Sequence, residues 1–163
     1  LIYIFRVYGE EKFAQRIVAA IIAEREIKPF RSTFDLVNLI KKVVPAKSKR
    51  EKHPAKRIFQ ALRIAVNQEL KELEELLNVL PQCVKSGGRI DLISFHSLED
   101  RLIKHRFQEW ENPCTCPQDF PICICGNVPL GKMIGRRGIT ATAEEIAENS
   151  RARSARLRVF EMI

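Results

Sequence analysis

Residues 87 to 107 constrain the fold most. Gly-Gly-Arg-Ile-Asp-Leu-Ile-Ser-Phe-His-Ser-Leu-Glu-Asp-Arg-Leu-Ile-Lys-His-Arg-Phe places a turn, an apolar run, a polar cluster and a helical pattern in immediate succession. Gly87 and Gly88 give the positive-φ freedom that a tight turn needs. Ile90, Leu92 and Ile93 then form a run of strand length, expected to be buried on both faces. Ser97 is expected to cap the following helix, with Asp100 three residues on, and Leu98, Leu102, Ile103, Phe107 and Trp110 form its apolar side. The whole reads as one βα unit. Its polar residues Ser94, His96, Ser97, Glu99, Asp100 and Arg101 fall at or just beyond the carboxyl end of the strand, the edge at which open α/β sheets bind ligands. Capping and local pairing (Arg101 with Asp100 or Glu99) is one use for them, and a binding site is the other. So much polarity against an apolar strand favours the site.

Upstream, Phe13, Ile17 and Ile21, widened by Val18 and Ile22, predict an amphipathic helix over residues 10 to 25. Lys28-Pro29-Phe30 breaks it, and Ser32 with Asp35 starts a second helix carrying Leu36, Leu39, Ile40 and Val43, which Pro45 ends. Residues 46 to 53 are basic with almost no apolar content and read as an exposed loop. From His53-Pro54, the recurrence of Phe59, Leu62, Val66, Leu70, Leu73, Leu77 and Leu80 predicts one helix, about 40 Å long at about 1.5 Å per residue, ended by Pro81. Helix, tight turn, buried strand and helix in that order are the grammar of a doubly wound α/β sheet. Downstream, residues 131 to 139 suit an edge strand or loop, and Thr142 opens a short acidic helix. Ala155, Leu157 and Val159 alternate with Arg156, Arg158 and Phe160 as in a terminal strand.

The 163 residues are enough for one core, or a core with a small subdomain. No apolar run approaches a membrane span, and Leu1-Ile-Tyr-Ile-Phe-Arg-Val-Tyr lacks both an initiator Met and the layout of a signal peptide. The chain is therefore expected to start inside a longer protein. Its net charge of +8 is concentrated: residues 41 to 57 hold eight basic residues against Glu51, and Arg151, Arg153, Arg156 and Arg158 form a second cluster. Such local excess favours a polyanion, most often nucleic acid. Five cysteines without an export signal point to a reducing compartment, the cytoplasm or its equivalent.

Four of these cysteines, Cys114, Cys116, Cys123 and Cys125, lie in a Pro-rich loop with no core of its own, as expected of a small tetrahedral zinc site. The C-x-C spacing of each pair is tighter and less diagnostic than C-x-x-C, so free thiols or a labile redox pair stay open as the other reading. Cys83 stands apart and is expected to be a buried apolar residue.

Three segments resemble one family: His53-Pro-Ala-Lys-Arg-Ile-Phe-Gln-Ala-Leu-Arg-Ile-Ala-Val-Asn67, Ser86-Gly-Gly-Arg-Ile-Asp-Leu-Ile-Ser-Phe-His-Ser-Leu-Glu-Asp-Arg101, and Asn149-Ser-Arg-Ala-Arg-Ser-Ala-Arg-Leu-Arg158. Together they are similar to the bacterial small-subunit (16S) ribosomal RNA cytosine N4-methyltransferases, the MraW family. Tyr8-Gly-Glu-Glu-Lys-Phe13 and the Cys-rich loop also fit some members. The resemblance implies an α/β fold: the C-terminal half of a Rossmann-like S-adenosylmethionine-dependent core over residues 53 to 163, preceded by a mostly helical insertion subdomain over residues 1 to 52. It implies too that the cofactor loop, the ribose-binding acid and the catalytic loop lie before Leu1. No Gly-x-Gly follows a strand here, and Gly87-Gly88 precedes its strand. No catalytic or cofactor-binding residue is therefore assigned within the chain, and by itself it is expected to be inactive.

The implied activity is S-adenosylmethionine-dependent methylation of a cytidine N4 amine in small-subunit ribosomal RNA, with this chain supplying the RNA-facing part. Ser94, His96, Ser97, Asp100 and Arg101 are expected to bind substrate, and Lys47, Lys49, Arg50, Lys56, Arg57 and Arg63 to contact RNA phosphates. The expected partners are ribosomal RNA and no membrane, with a homodimer also considered because a second copy could cover the edge of a half-sheet. A non-catalytic RNA-binding module with a zinc-stapled loop fits the composition equally well.

Overall fold

The computed structural model describes residues 1–45, 53, 55–117, 122 and 124–163. They form two compact units, Leu1–Glu69 and Leu70–Ile163.

The first unit is helical: α1 (Ile2–Val7), α2 (Ala14–Ile27), α3 (Thr33–Val43) and α4 (Lys56–Asn67). Ser32 caps α3 as expected, its Oγ accepting from the Asp35 amide while the Asp35 carboxylate accepts from the Ser32 and Arg31 amides. Those amides, Arg31 first, hold the Asp35 carboxyl below its ordinary range. Phe5, Ile17, Val18, Ile21, Leu39, Ile40, Ile58 and Ala61 meet in one core. Ile22, expected in the stripe, is exposed instead.

The long helix is two helices. Gln68 adopts the left-handed conformation, φ 54°, which ends α4, and α5 (Glu69–Cys83) begins at the next residue. The break resets the helical phase. In α4 the buried face is Ile58, Ala61 and Ile64, and Val66 is exposed, whereas in α5 Leu77 is buried with Leu73 and Leu80 beside it. Pro81 lies inside the last turn of α5 rather than ending the helix before it, and Cys83 is exposed rather than buried.

The second unit continues with β1 (Arg89–Ser94), α6 (Ser97–Glu111), β2 (Gly131–Thr140), α7 (Ala143–Glu148), a 3-10 turn (Ser150–Ser154) and β3 (Arg156–Met162). Among the described residues the strands form one sheet in the order β1-β3-β2, and both pairings are antiparallel. The terminal strand inserts between β1 and β2, so among the described residues each of the two pairs antiparallel with β3. Gly87, φ 74°, makes the predicted turn and is tied to the sheet end by its amide to the Met162 carbonyl at 2.9 Å.

Only one face of β1 is buried. Ile90 and Ser94 are covered and Leu92 is half-buried, while Ile93 is exposed. On β3 the covered residues are Arg158, Phe160 and Met162, so the face that carries an arginine is the inner one. Helix α6 packs on this face, and Phe107 and Trp110 close around Phe160. On the outer face Glu161 bridges Lys132 of β2 at 3.2 Å and Arg89 of β1 at 3.0 Å. Lys132 foremost, then Arg89, holds the Glu161 carboxyl below its ordinary range. This contribution is present above that range and is lost as pH falls through the lowered value.

Candidate functional site

The carboxyl end of β1 is assembled by three elements. Ser94, the last strand residue, is 2% exposed, and its Oγ donates to the carbonyl of its cross-strand partner Arg156 at 3.4 Å. The chain then turns into α6 through a cap made by His96, not by Ser97. His96 Nδ1 accepts from the Glu99 amide at 3.3 Å, and Glu99 Oε2 accepts from the amides of Phe95 and His96 at 2.8 and 3.2 Å. His96 Nε2 lies 3.3 Å from Glu99 Oε1. Ser97 is the first helical residue and is exposed, as is Arg101 on the next turn of the helix.

Asp100 does not serve as the capping acid expected of it. Its carboxylate takes Arg158 in a two-point pair, Nε to Oδ1 at 2.6 Å and Nη2 to Oδ2 at 3.0 Å, and Arg156 Nη1 stands 3.9 Å away. The Arg158 side chain is 5% exposed. A guanidinium this covered needs a carboxylate in fixed geometry, and the pair bolts the first turn of α6 to the central strand. Ser94, His96 and Asp100 are thus brought together at one strand end, each already engaged in holding the elbow.

In the loop after α6, the sulfurs of Cys114, Cys116 and Cys125 lie within 4.8 Å of one another. Cys116 Sγ accepts from the Ile124 amide at 3.4 Å. Cys123 lies outside the described residues.

The whole chain, residues 1–163, matches the model of the MraW methylase family. It belongs to that family. Three of its relatives carry the same name, ribosomal RNA small subunit methyltransferase H. The one from Carboxydothermus hydrogenoformans is 54% identical over 163 residues, which is 100% of this chain and 52% of the relative. That of Geobacter sp. (strain M21) is 52% identical over 157 residues, 96% of this chain and 50% of its own. That of Clostridium botulinum (strain Loch Maree / Type A3) is 48% identical over 163 residues, 100% of this chain and 53% of its own. The chain spans about half the length of the curated relatives it matches. No helix among the described residues is long and apolar enough to cross a membrane.

The segments that carry the MraW resemblance have structural work in this chain. In Tyr8-Gly-Glu-Glu-Lys-Phe13, a Cβ on Gly9 would stand 2.7 Å from the Phe5 carbonyl oxygen and 3.1 Å from that of Arg57, so only glycine lets the turn pass α4. The buried Glu11 accepts from the Phe13 amide at 2.9 Å. The basic residues expected on RNA belong partly to this first unit. Lys56 is exposed, Arg57 donates to the Glu10 carbonyl at 3.3 Å, and Arg63 forms a two-point pair with Glu69 at 2.7 and 2.9 Å. Lys47, Lys49 and Arg50 lie outside the described residues. Sequence reasoning missed Arg158 as the partner of Asp100. Its place in the period-2 strand was visible in the sequence, but its register with Leu92 of the inner face belongs to the fold.

Proposed function

We propose that this chain is the RNA-facing part of an S-adenosylmethionine-dependent enzyme that methylates the N4 amine of a cytidine in small-subunit ribosomal RNA. The observation that carries the reading is the match of all 163 residues to a methylase family whose relatives at about half identity are named for ribosomal RNA methylation. In this reading residues 1–52 are a helical insertion and residues 53–163 continue a Rossmann-like core.

Methylating an exocyclic amine requires desolvating the base, aligning N4 with the methyl donor and releasing the nitrogen lone pair from the ring. S-adenosylmethionine supplies the methyl group, and the protein supplies orientation and a dry site. The end of β1 suits that second task. Ser94 and His96 sit on an elbow fixed by two carboxylate locks, one from Glu99 and one from Asp100, so a base held there would meet a rigid wall. Ser97 and Arg101 are the exposed members of the group at the elbow. The test is to incubate the complete protein containing these residues with undermethylated small-subunit RNA and methyl-labelled S-adenosylmethionine, then digest to nucleosides. Label is expected in N4-methylcytidine. RNA binding with no label in any nucleoside would favour the non-catalytic RNA-binding module.

Zinc is the second cofactor in this reading, held by Cys114, Cys116 and Cys125, with Cys123 as the fourth ligand that the sequence offers. Zn–S bonds of about 2.3 Å in a tetrahedron separate sulfurs by about 3.8 Å, within the limit that the three thiols already meet. Protein purified without chelator is expected to carry one zinc per chain by elemental analysis, and Cys114→Ser with Cys116→Ser to lose it. Wild-type protein without stoichiometric metal would make these free thiols.

A further inference from the structure

The second unit carries a feature that the elbow does not use. Between Ile134, paired with Val159, and Ile139, paired with Leu157, the segment Gly135-Arg136-Arg137-Gly138 of β2 stands opposite the single residue Arg158 of β3. The strand must loop outward there, and glycines at both ends, φ 71° and 72°, let it do so. The bulge is clamped from below: Arg158 Nη1 donates to the Arg136 carbonyl at 3.3 Å, and Arg156 Nη1 to the Arg137 carbonyl at 3.2 Å. Both carbonyls are thereby held by β3, and the side chains of Arg136 and Arg137 are exposed.

Beside the bulge lies a groove of about 530 Å³ lined by Lys104, Arg136, Arg137, Thr140, Arg156 and Arg158 around Gly138. None of these residues is acidic. Arg158 is neutralised by Asp100, which leaves Lys104, Arg136, Arg137 and, more weakly, Arg156 to set the sign of the groove.

We infer that this groove, with the Arg136-Arg137 bulge as its rim, binds the phosphate backbone of the substrate RNA. The inference rests on the proposed reaction and specifies where its substrate is held. Guanidinium groups take phosphate oxygens in two-point geometry, and such contacts fix register and orientation on a nucleic acid without reading its sequence. Two arginines on a backbone clamped at successive carbonyls form a more ordered phosphate site than the same charges on a free loop. The site lies on the same strand pair that supplies Arg158 to Asp100, so RNA held there would be registered against the elbow at the end of β1.

The test is anisotropy of a labelled small-subunit RNA hairpin with the 163-residue chain across a salt series. Arg136→Ala with Arg137→Ala is expected to weaken binding about tenfold and to reduce the log–log salt slope by roughly 1.5, since each phosphate neutralised contributes roughly 0.7 to 0.9. Arg136→Lys with Arg137→Lys should keep most of the slope, and Lys85→Ala, an exposed charge outside the groove, should change nothing. Both alanine replacements retain the clamped carbonyls, and a wild-type circular dichroism melt would confirm that the fold is intact. Wild-type chain that binds with salt dependence while the double alanine variant matches it would overturn the groove and leave the RNA reading standing. Polyglutamate competing as well as RNA at equal charge would overturn RNA as the ligand of the groove. Wild-type chain that binds no RNA at any salt would overturn both.

Discussion

Replacing Asp100 by Ala is expected to cost about 3 kcal/mol of folding stability, the lower end of the range of roughly 3 to 5 for leaving one partner of a buried pair uncompensated. The lower end applies because the Asp100 carboxylate is 21% exposed while the Arg158 side chain is 5% exposed, so water screens one side of the pair only. Without Asp100, Arg158 keeps its hydrogen bond to the Arg136 carbonyl but loses the carboxylate that pairs it. Urea denaturation at neutral pH measures the loss. Removing both charges as Asp100→Ala with Arg158→Met should recover most of it, since the isolated charge and not the missing contact is the source of the cost. A single variant within about 0.5 kcal/mol of wild type, the range usual for surface substitutions, would show that the elbow is held by the His96–Glu99 cap alone.

Phe107→Ala should cost about 3 to 5 kcal/mol, the range for deleting a buried aromatic ring from a packed core. Phe107 is fully covered, and its ring centroid lies 5.4 Å from Trp110 and 5.2 Å from Phe160. It therefore joins the helix to the central strand through its contact with Phe160 and braces Trp110 of its own helix, each aromatic contact worth roughly 0.5 to 1.5 kcal/mol beyond area burial. Trp110 is the single tryptophan and is 7% exposed, so its emission reports directly on this cluster. The expected result is a lower urea midpoint with a red-shifted native emission, and Phe107→Leu should lose less than half as much. An unshifted emission with an unchanged midpoint would mean that the sheet does not depend on α6 for its core.

The βα unit was legible because its signals are local: a double glycine, an apolar run and a helical stripe. The face of the strand that would be buried was not legible, because that depends on which strand pairs with it. Period-2 alternation located β3, but with two arginines, Phe160 and Met162 on one side and Leu157, Val159 and Glu161 on the other, alternation alone does not choose the inner face. The Asp100 carboxylate, 58 residues away in sequence, pairs the arginine that the inner face carries. The cap slipped by one residue because histidine is not among the usual capping residues, although Nδ1 can accept an amide as an oxygen would. The break at Gln68 left no trace, since glutamine carries no left-handed preference, whereas the glycines around Arg136 and Arg137 did announce a departure from regular strand. The candidate residues Ser94, His96 and Asp100 could be grouped from the sequence because polarity at a strand end is visible there. Glu99 lay in the same polar cluster, three residues from His96, whereas Arg158, 58 residues from Asp100, needed the fold.

The most direct test of the central claim is nucleoside mass spectrometry of small-subunit ribosomal RNA from the host, before and after disruption of the gene encoding this chain. N4-methylcytidine is expected to fall, with every other modified nucleoside unchanged, and to return when the intact gene is restored. An unchanged level of N4-methylcytidine in the disrupted strain would contradict it.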